Sequence, residues 1–214
     1  MSFLKRFIDK KTVIEQSSSP KITCPYCGTD LQSKPTRKKK CPSCGQYILV
    51  RKGNLLTEDD AKIIDWLDRL NGFNIDRRAF DKHRDALTKQ FGFQAPVNDT
   101  LWRIFTLLKR ESRGHQDLKW VSLHMAEILR EEGKDPTPHL ADALREELLD
   151  YKESGVLFVQ VSTCNDRHVC RSCEALTEQI FSIDDALKMM PIPHACVSTT
   201  KCRCGYVPVV NMPK

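Results

Sequence analysis

The 214-residue sequence is 40% hydrophobic and 29% charged, enough for one substantial core or a helical body with smaller attached modules, and too little for two large domains. Its 34 Lys and Arg against 28 Asp and Glu give a formal charge of +6, yet residues 1–52 alone hold 12 basic and 3 acidic side chains, so the basic excess lies in the N-terminal quarter. There is no apolar run of the about eighteen residues that a membrane-crossing helix needs and no secretory signal pattern, so a cytoplasmic location is expected, where ten cysteines read as metal ligands before disulfides.

In chain order, residues 1–20 form a tail and linker. Phe3, Leu4, Phe7 and Ile8 stand at helical spacing among Lys5, Arg6, Lys10 and Lys11, and Gln16-Ser-Ser-Ser-Pro20 reads as a connector. A first cysteine module occupies 21–52, a helical bundle 55–155, and a cysteine-rich domain 156–214. Within the bundle, Thr57 caps a helix that starts Glu58-Asp59-Asp60 and ends near Asn71-Gly72. A second helix spans about Arg77 to Phe91, stopped by Gly92. A third begins near Asn98-Asp99, and a fourth covers about Gln116 to Glu132, before Gly133. Thr137 as cap and Pro138 at the first helical position open a fifth, which stops at Gly155. Residues 156–161 then read as a strand, Ser182 caps a short helix through Met190, and Gly205 to Val210 reads as a last strand. The fold class is α+β, mainly α: a small helical bundle flanked by an N-terminal metal module and a C-terminal β/loop module.

Cys24-Pro-Tyr-Cys27-Gly and Cys41-Pro-Ser-Cys44-Gly repeat one device thirteen residues apart. Two intervening residues let a tight turn aim both sulfurs at one ion, and the glycine supplies the positive φ such a turn needs. The arrangement resembles a zinc ribbon, with Zn2+ held by Cys24, Cys27, Cys41 and Cys44; an iron centre on the same knuckles and a redox dithiol are the rivals. A module this small takes its folding energy from the metal. Lys34, Arg37, Lys38, Lys39 and Lys40 lie between the knuckles, with Arg51 and Lys52 after them. This basic group is the candidate for contacting nucleic acid through its phosphates without sequence readout; a protein partner and a merely solvated tip are the other readings.

In the C-terminal domain, Cys170 and Cys173 again have knuckle spacing. A second Zn2+ site would be completed from Cys196, Cys202 and Cys204, with His194 in reserve, and Cys164 is expected to be a buried small apolar residue. A strand leading into Asp166, the Cys170-x-x-Cys173 pair, Leu176 with Phe181, the proline-rich approach to His194, then Cys202-Arg-Cys204 and Pro208 resemble the cysteine-rich end of the phage Mu F-type family of minor head, or head-morphogenesis, proteins. The resemblance covers about 50 residues and implies a zinc-stabilised interaction domain in a phage or prophage setting. It carries over no catalytic residue.

The function expected from the sequence is that of a non-enzymatic zinc-binding protein whose ribbon contacts nucleic acid or a partner protein, with a phage-type assembly factor as the alternative. A third reading, a zinc-dependent nuclease-like enzyme, would use His168 and His194 with Asp166 or Glu174. It stands last because all-thiolate coordination leaves no open position for water.

Overall fold

The computed structural model describes residues 21–112, 114–193 and 202–209. They fall into two compact units, one ending at Asn74 and the other starting at Ile75.

The first unit is built on two turns with identical hydrogen bonding. Cys24 N donates to Thr29 O at 2.9 Å and Gly28 N returns to Cys24 O at 2.9 Å; Cys41 N donates to Gln46 O at 2.8 Å and Gly45 N to Cys41 O at 3.0 Å. Gly28 and Gly45 take φ of 71° and 73°, the left-handed conformation the sequence predicts for them. Strands β1 (Lys39–Lys40), β2 (Tyr47–Arg51) and β3 (Asn54–Leu56) form an antiparallel sheet in that order, with Lys40 opposite Tyr47 and Arg51 opposite Asn54. Lys52 and Gly53, both at positive φ, close the β2–β3 hairpin in the way that suits the right-handed strand twist.

Helix α1 (Glu58–Arg69) follows, and Thr57 Oγ1 accepts from Asp60 N at 3.0 Å as the sequence predicts. Its stripe of Ile63, Trp66 and Leu70 is buried, and the helix packs against β2 and β3. An amphipathic helix needs a surface on which to lay its apolar face, and here the ribbon sheet supplies it. The last turn tightens into a 3-10 helix, Leu70–Phe73.

In the second unit, α2 (Arg77–Phe91), α3 (Val97–Glu111), α4 (His115–Glu131) and α5 (Thr137–Glu153) form the helical body. The bounds lie within a residue or two of those expected, because caps and glycine stops are local signals. Gly92 and Gly133 take φ of 76° and 68° just past their helices. One cap differs. Thr137 is inside α5, and the Asp135 carboxylate accepts from its backbone N at 3.1 Å and its hydroxyl at 2.6 Å. Pairs of α4 and α5 side chains clamp the two helices together: His115 with Glu146 and Glu153, Gln116 with Asp150, Lys119 with Glu147.

The chain then forms β4 (Phe158–Ser162), α6 (Arg171–Leu176), β5 (Ile180–Ser182), α7 (Ile183–Met189) and β6 (Gly205–Pro208). The sheet order is β5-β4-β6, antiparallel throughout, with Val161 opposite Tyr206 and Val159 opposite Phe181. Strand β4 starts two residues later than expected, leaving Leu157 exposed, and β6 covers Gly205–Pro208, while the expected end at Val210 lies outside the described residues. The core here joins Leu144 and Leu148 of α5 to Val159, Val161, Ile183, Ala186, Ile192 and Tyr206. Strand alternation accounts for Val159 and Val161 sharing the inward face. No helix among the described residues is long and apolar enough to cross a membrane.

Candidate metal centres and basic face

At the first cluster the two turns bring Cys24, Cys27, Cys41 and Cys44 together with all four Sγ atoms within 4.8 Å of one another. Cys24 lies 3.9 Å from Cys44, and Cys27 lies 3.8 Å from Cys41. A tetrahedron with metal–sulfur bonds of about 2.3 Å has edges of about 3.8 Å, and a disulfide would need about 2.05 Å. The four thiols therefore have the spacing of a metal site and are free cysteines. Cys24 and Cys41 are buried against Ile48, with Leu31 and Leu55 alongside. Cys27 Sγ lies 3.3 Å from Thr29 Oγ1, which lies 3.1 Å from Ser43 Oγ, linking the two turns.

The electrostatics of this cluster favour a cation. The Thr29 hydroxyl and amide, donating to the thiolate, draw Cys27 down to about 6, and the Cys44 amide lowers Cys41. At Cys44 the Gln46 amide favours the thiolate but is outweighed by burial and the neighbouring sulfurs, which push it up to about 11. Sulfurs this close cannot all ionise against one another; a bound dication removes that obstacle.

The second cluster brings Cys173, Cys202 and Cys204 within 4.8 Å of one another, with Cys173 Sγ 3.9 Å from Cys202 Sγ. Cys170, immediately before α6, lines the same recess, together with Cys164, His168 and Arg203. Cys173 and Cys202 are buried against Ala126 of α4 and Leu140 of α5, and Arg130 donates to the Cys202 carbonyl at 3.2 Å. This centre is thus set into the helical body. Burial pushes the Cys173 thiol up and takes Cys204 to about 11. Arg203 Nη2 contacts the Asp166 carboxylate, which also accepts from His168 N at 2.9 Å; the Arg203 hydrogen bond holds the Asp166 carboxyl below its usual range.

Both clusters can hold a metal ion. Cys196 and His194 lie outside the described residues, as does the Phe3–Ile8 segment. Cys164 differs from its expectation: it is exposed, and its Sγ donates to Arg203 O at 3.4 Å. The loop that carries it runs along the outside of the Cys202–Cys204 segment instead of entering the core. His168 and Glu174 are exposed as well, and His168 offers Asp166 its backbone amide rather than its ring.

Comparison of the chain with protein-family models, curated proteins and solved structures found no match.

The seven basic residues nominated from the sequence divide into two groups. Arg51 pairs with Asp65 of α1 at 3.3 Å and Lys52 with Asp68 at 3.0 Å. Lys34, Arg37, Lys38, Lys39 and Lys40 are exposed, and no acidic partner within 4.0 Å is found for them among the described residues. Lys38 Nζ sits 4.6 Å from the centroid of the Tyr47 ring. The partners of Arg51 and Lys52 were not legible in the sequence, since no local signal tells which way α1 folds back onto the hairpin. The Asp166–Arg203 and Arg130–Cys202 contacts are also long-range and left no local trace.

Proposed function

We propose that the chain is a non-enzymatic zinc-binding protein whose N-terminal ribbon, closed by Cys24, Cys27, Cys41 and Cys44, binds nucleic acid through phosphates. One observation carries this reading: five cations between the two knuckles are exposed and free of acidic partners among the described residues, while Arg51 and Lys52 are already paired. Unneutralised Lys and Arg on a rigid metal-built loop release counterions from a polynucleotide on contact. Cys170, Cys173, Cys202 and Cys204 hold a second structural zinc in the C-terminal module, and thiolate ligands throughout suit support rather than catalysis.

The test joins metal analysis to a salt titration. Two zinc ions per chain are expected. The slope of log affinity on log salt should reach at most about −4.5 on duplex DNA for five phosphate contacts. Replacing Arg37, Lys38, Lys39 and Lys40 with alanine should abolish binding, and replacing Arg51 and Lys52 should change it little. Absence of binding at low salt rules the reading out.

A second reading, a phage-type head-assembly factor, is supported by the residues of the Mu F-type resemblance. Those that are described, Asp166, Cys170, Cys173, Leu176, Phe181, Cys202, Cys204 and Pro208, fall in one sheet-and-loop module. This reading expects protein contacts made by that module that persist in high salt, where phosphate contacts are lost.

A further inference from the structure

We infer that the nucleic acid held by the ribbon is single-stranded, with one base stacked on Tyr47 and the adjoining phosphates on Lys34, Arg37, Lys38, Lys39 and Lys40. The inference rests on the nucleic-acid reading above and specifies the class of its ligand.

Tyr47 opens β2 opposite Lys40. Its neighbour Ile48 is fully buried against Cys24 and Cys41, so alternation along the strand turns Tyr47 outward. The residue is 53% exposed even with the Lys38 ammonium 4.6 Å from its ring centroid. Tyr26, the other exposed tyrosine described in this unit, is committed elsewhere: its hydroxyl accepts from Glu58 N at 2.7 Å at the start of α1. Tyr47 is therefore a half-exposed ring set among cations, and its cation–π contact with Lys38 is one that a stacking base would share or displace.

That combination separates single strands from duplexes. Lysines and arginines attract the phosphates of either form. A ring on the surface of a strand gains a base only where the base's own face is free, which excludes bases already stacked and paired inside a helix. Stacking is tolerant of sequence because every base has a π-face. An acidic polypeptide would engage the cations but has little to offer the ring.

The experiment uses the full zinc-loaded chain, with fluorescence anisotropy at low salt on labelled oligo-dT and oligo-U of about twenty nucleotides and a duplex of the same length, sized to exceed one binding site. Tyr47→Ala should weaken both single strands roughly tenfold, toward the lower end of what one stacked base contributes, and leave the duplex and the salt slope as they were. Tyr47→Phe should bind like the parent. If Tyr47→Ala lowers zinc content, Tyr47→Thr, a strand-favouring residue without a ring, takes its place. The oligo-dT to oligo-U ratio reports the combined preference for the sugar and for the thymine methyl group, and either preference upholds the proposal. Equal loss on single strand and duplex, no loss on single strands, or displacement of the labelled oligonucleotide by charge-matched polyglutamate as effectively as by unlabelled oligo-dT overturns it. Failure of the parent chain to bind any polynucleotide is a different result and overturns the underlying nucleic-acid reading.

Discussion

One guanidinium nitrogen of Arg203 contacts both carboxylate oxygens of Asp166, at 2.7 and 2.8 Å. Arg203 stands between Cys202 and Cys204, and Asp166 stands in the loop that leads to Cys170, so this contact fastens the two halves of the second cysteine cluster to each other. Groups that orient metal ligands without touching the metal typically contribute a factor of about 10–100 in affinity. Asp166→Asn is expected to weaken zinc retention at the second site within that range and leave the first site unchanged. Chelator competition resolves the two ions, and an unaltered second affinity would deny the contact this role.

Cys27→Ser and Cys173→Ser should have separable effects, because the clusters belong to different compact units. The first should release about one zinc and unfold the ribbon, since the metal is its folding energy, while the helical content of the second unit persists. Trp66 is buried in the first unit, so its emission should shift to longer wavelength. The second substitution should release the other ion and lower the melting temperature of the helical body, whose Ala126 and Leu140 lie against Cys173. Loss of both ions from either variant would contradict this independence.

His115 gives the α4–α5 pair a pH dependence. Its Nδ1 is 2.7 Å from Glu146 and its Nε2 3.1 Å from Glu153, and these carboxylates raise its pKa, the Glu146 hydrogen bond most. A group whose pKa is higher folded than unfolded stabilises fully below the unfolded value, about 6.5 for histidine, and ceases to do so as pH rises through the folded value. The urea midpoint of the parent should therefore exceed that of His115→Gln at about pH 6, and the difference should shrink toward about pH 8. A difference independent of pH would show that the pairing is not ionic.

Leu148 is fully buried where α5 meets Val159, Val161 and Tyr206 of the C-terminal sheet. Leu148→Ala should cost about 2–5 kcal/mol by denaturant unfolding, the sum of lost transfer energy and the cavity left behind. A change below about 1 kcal/mol would mean that the sheet does not depend on α5 for its core.

The features legible in the sequence were those encoded by near neighbours. The two Cys-x-x-Cys-Gly turns, the Thr57 and Ser182 caps and the Gly92 stop each act over a few residues, and each occurs where expected. What escaped was set by packing between distant segments. Continuous apolar character over 156–161 did not reveal that Leu157 would be exposed while Val159 and Val161 turned inward. Cys164 read as a small core residue, but its burial depended on a loop course fixed by Asp166 and Arg203. Arg51 and Lys52 looked like free cations until α1 brought Asp65 and Asp68 beside them.

The division after Asn74 has a consequence for the order of events during synthesis. Everything the first cluster needs lies within the first unit, so the ribbon can take up its ion and lay down α1 while later segments are still being made. The second cluster must wait until Cys202 and Cys204 have emerged and the α4–α5 surface beneath Cys173 has formed. A ribosome-bound chain halted after about residue 110, with the tunnel covering its last few tens of residues, should already hold one zinc ion and display a shielded Trp66.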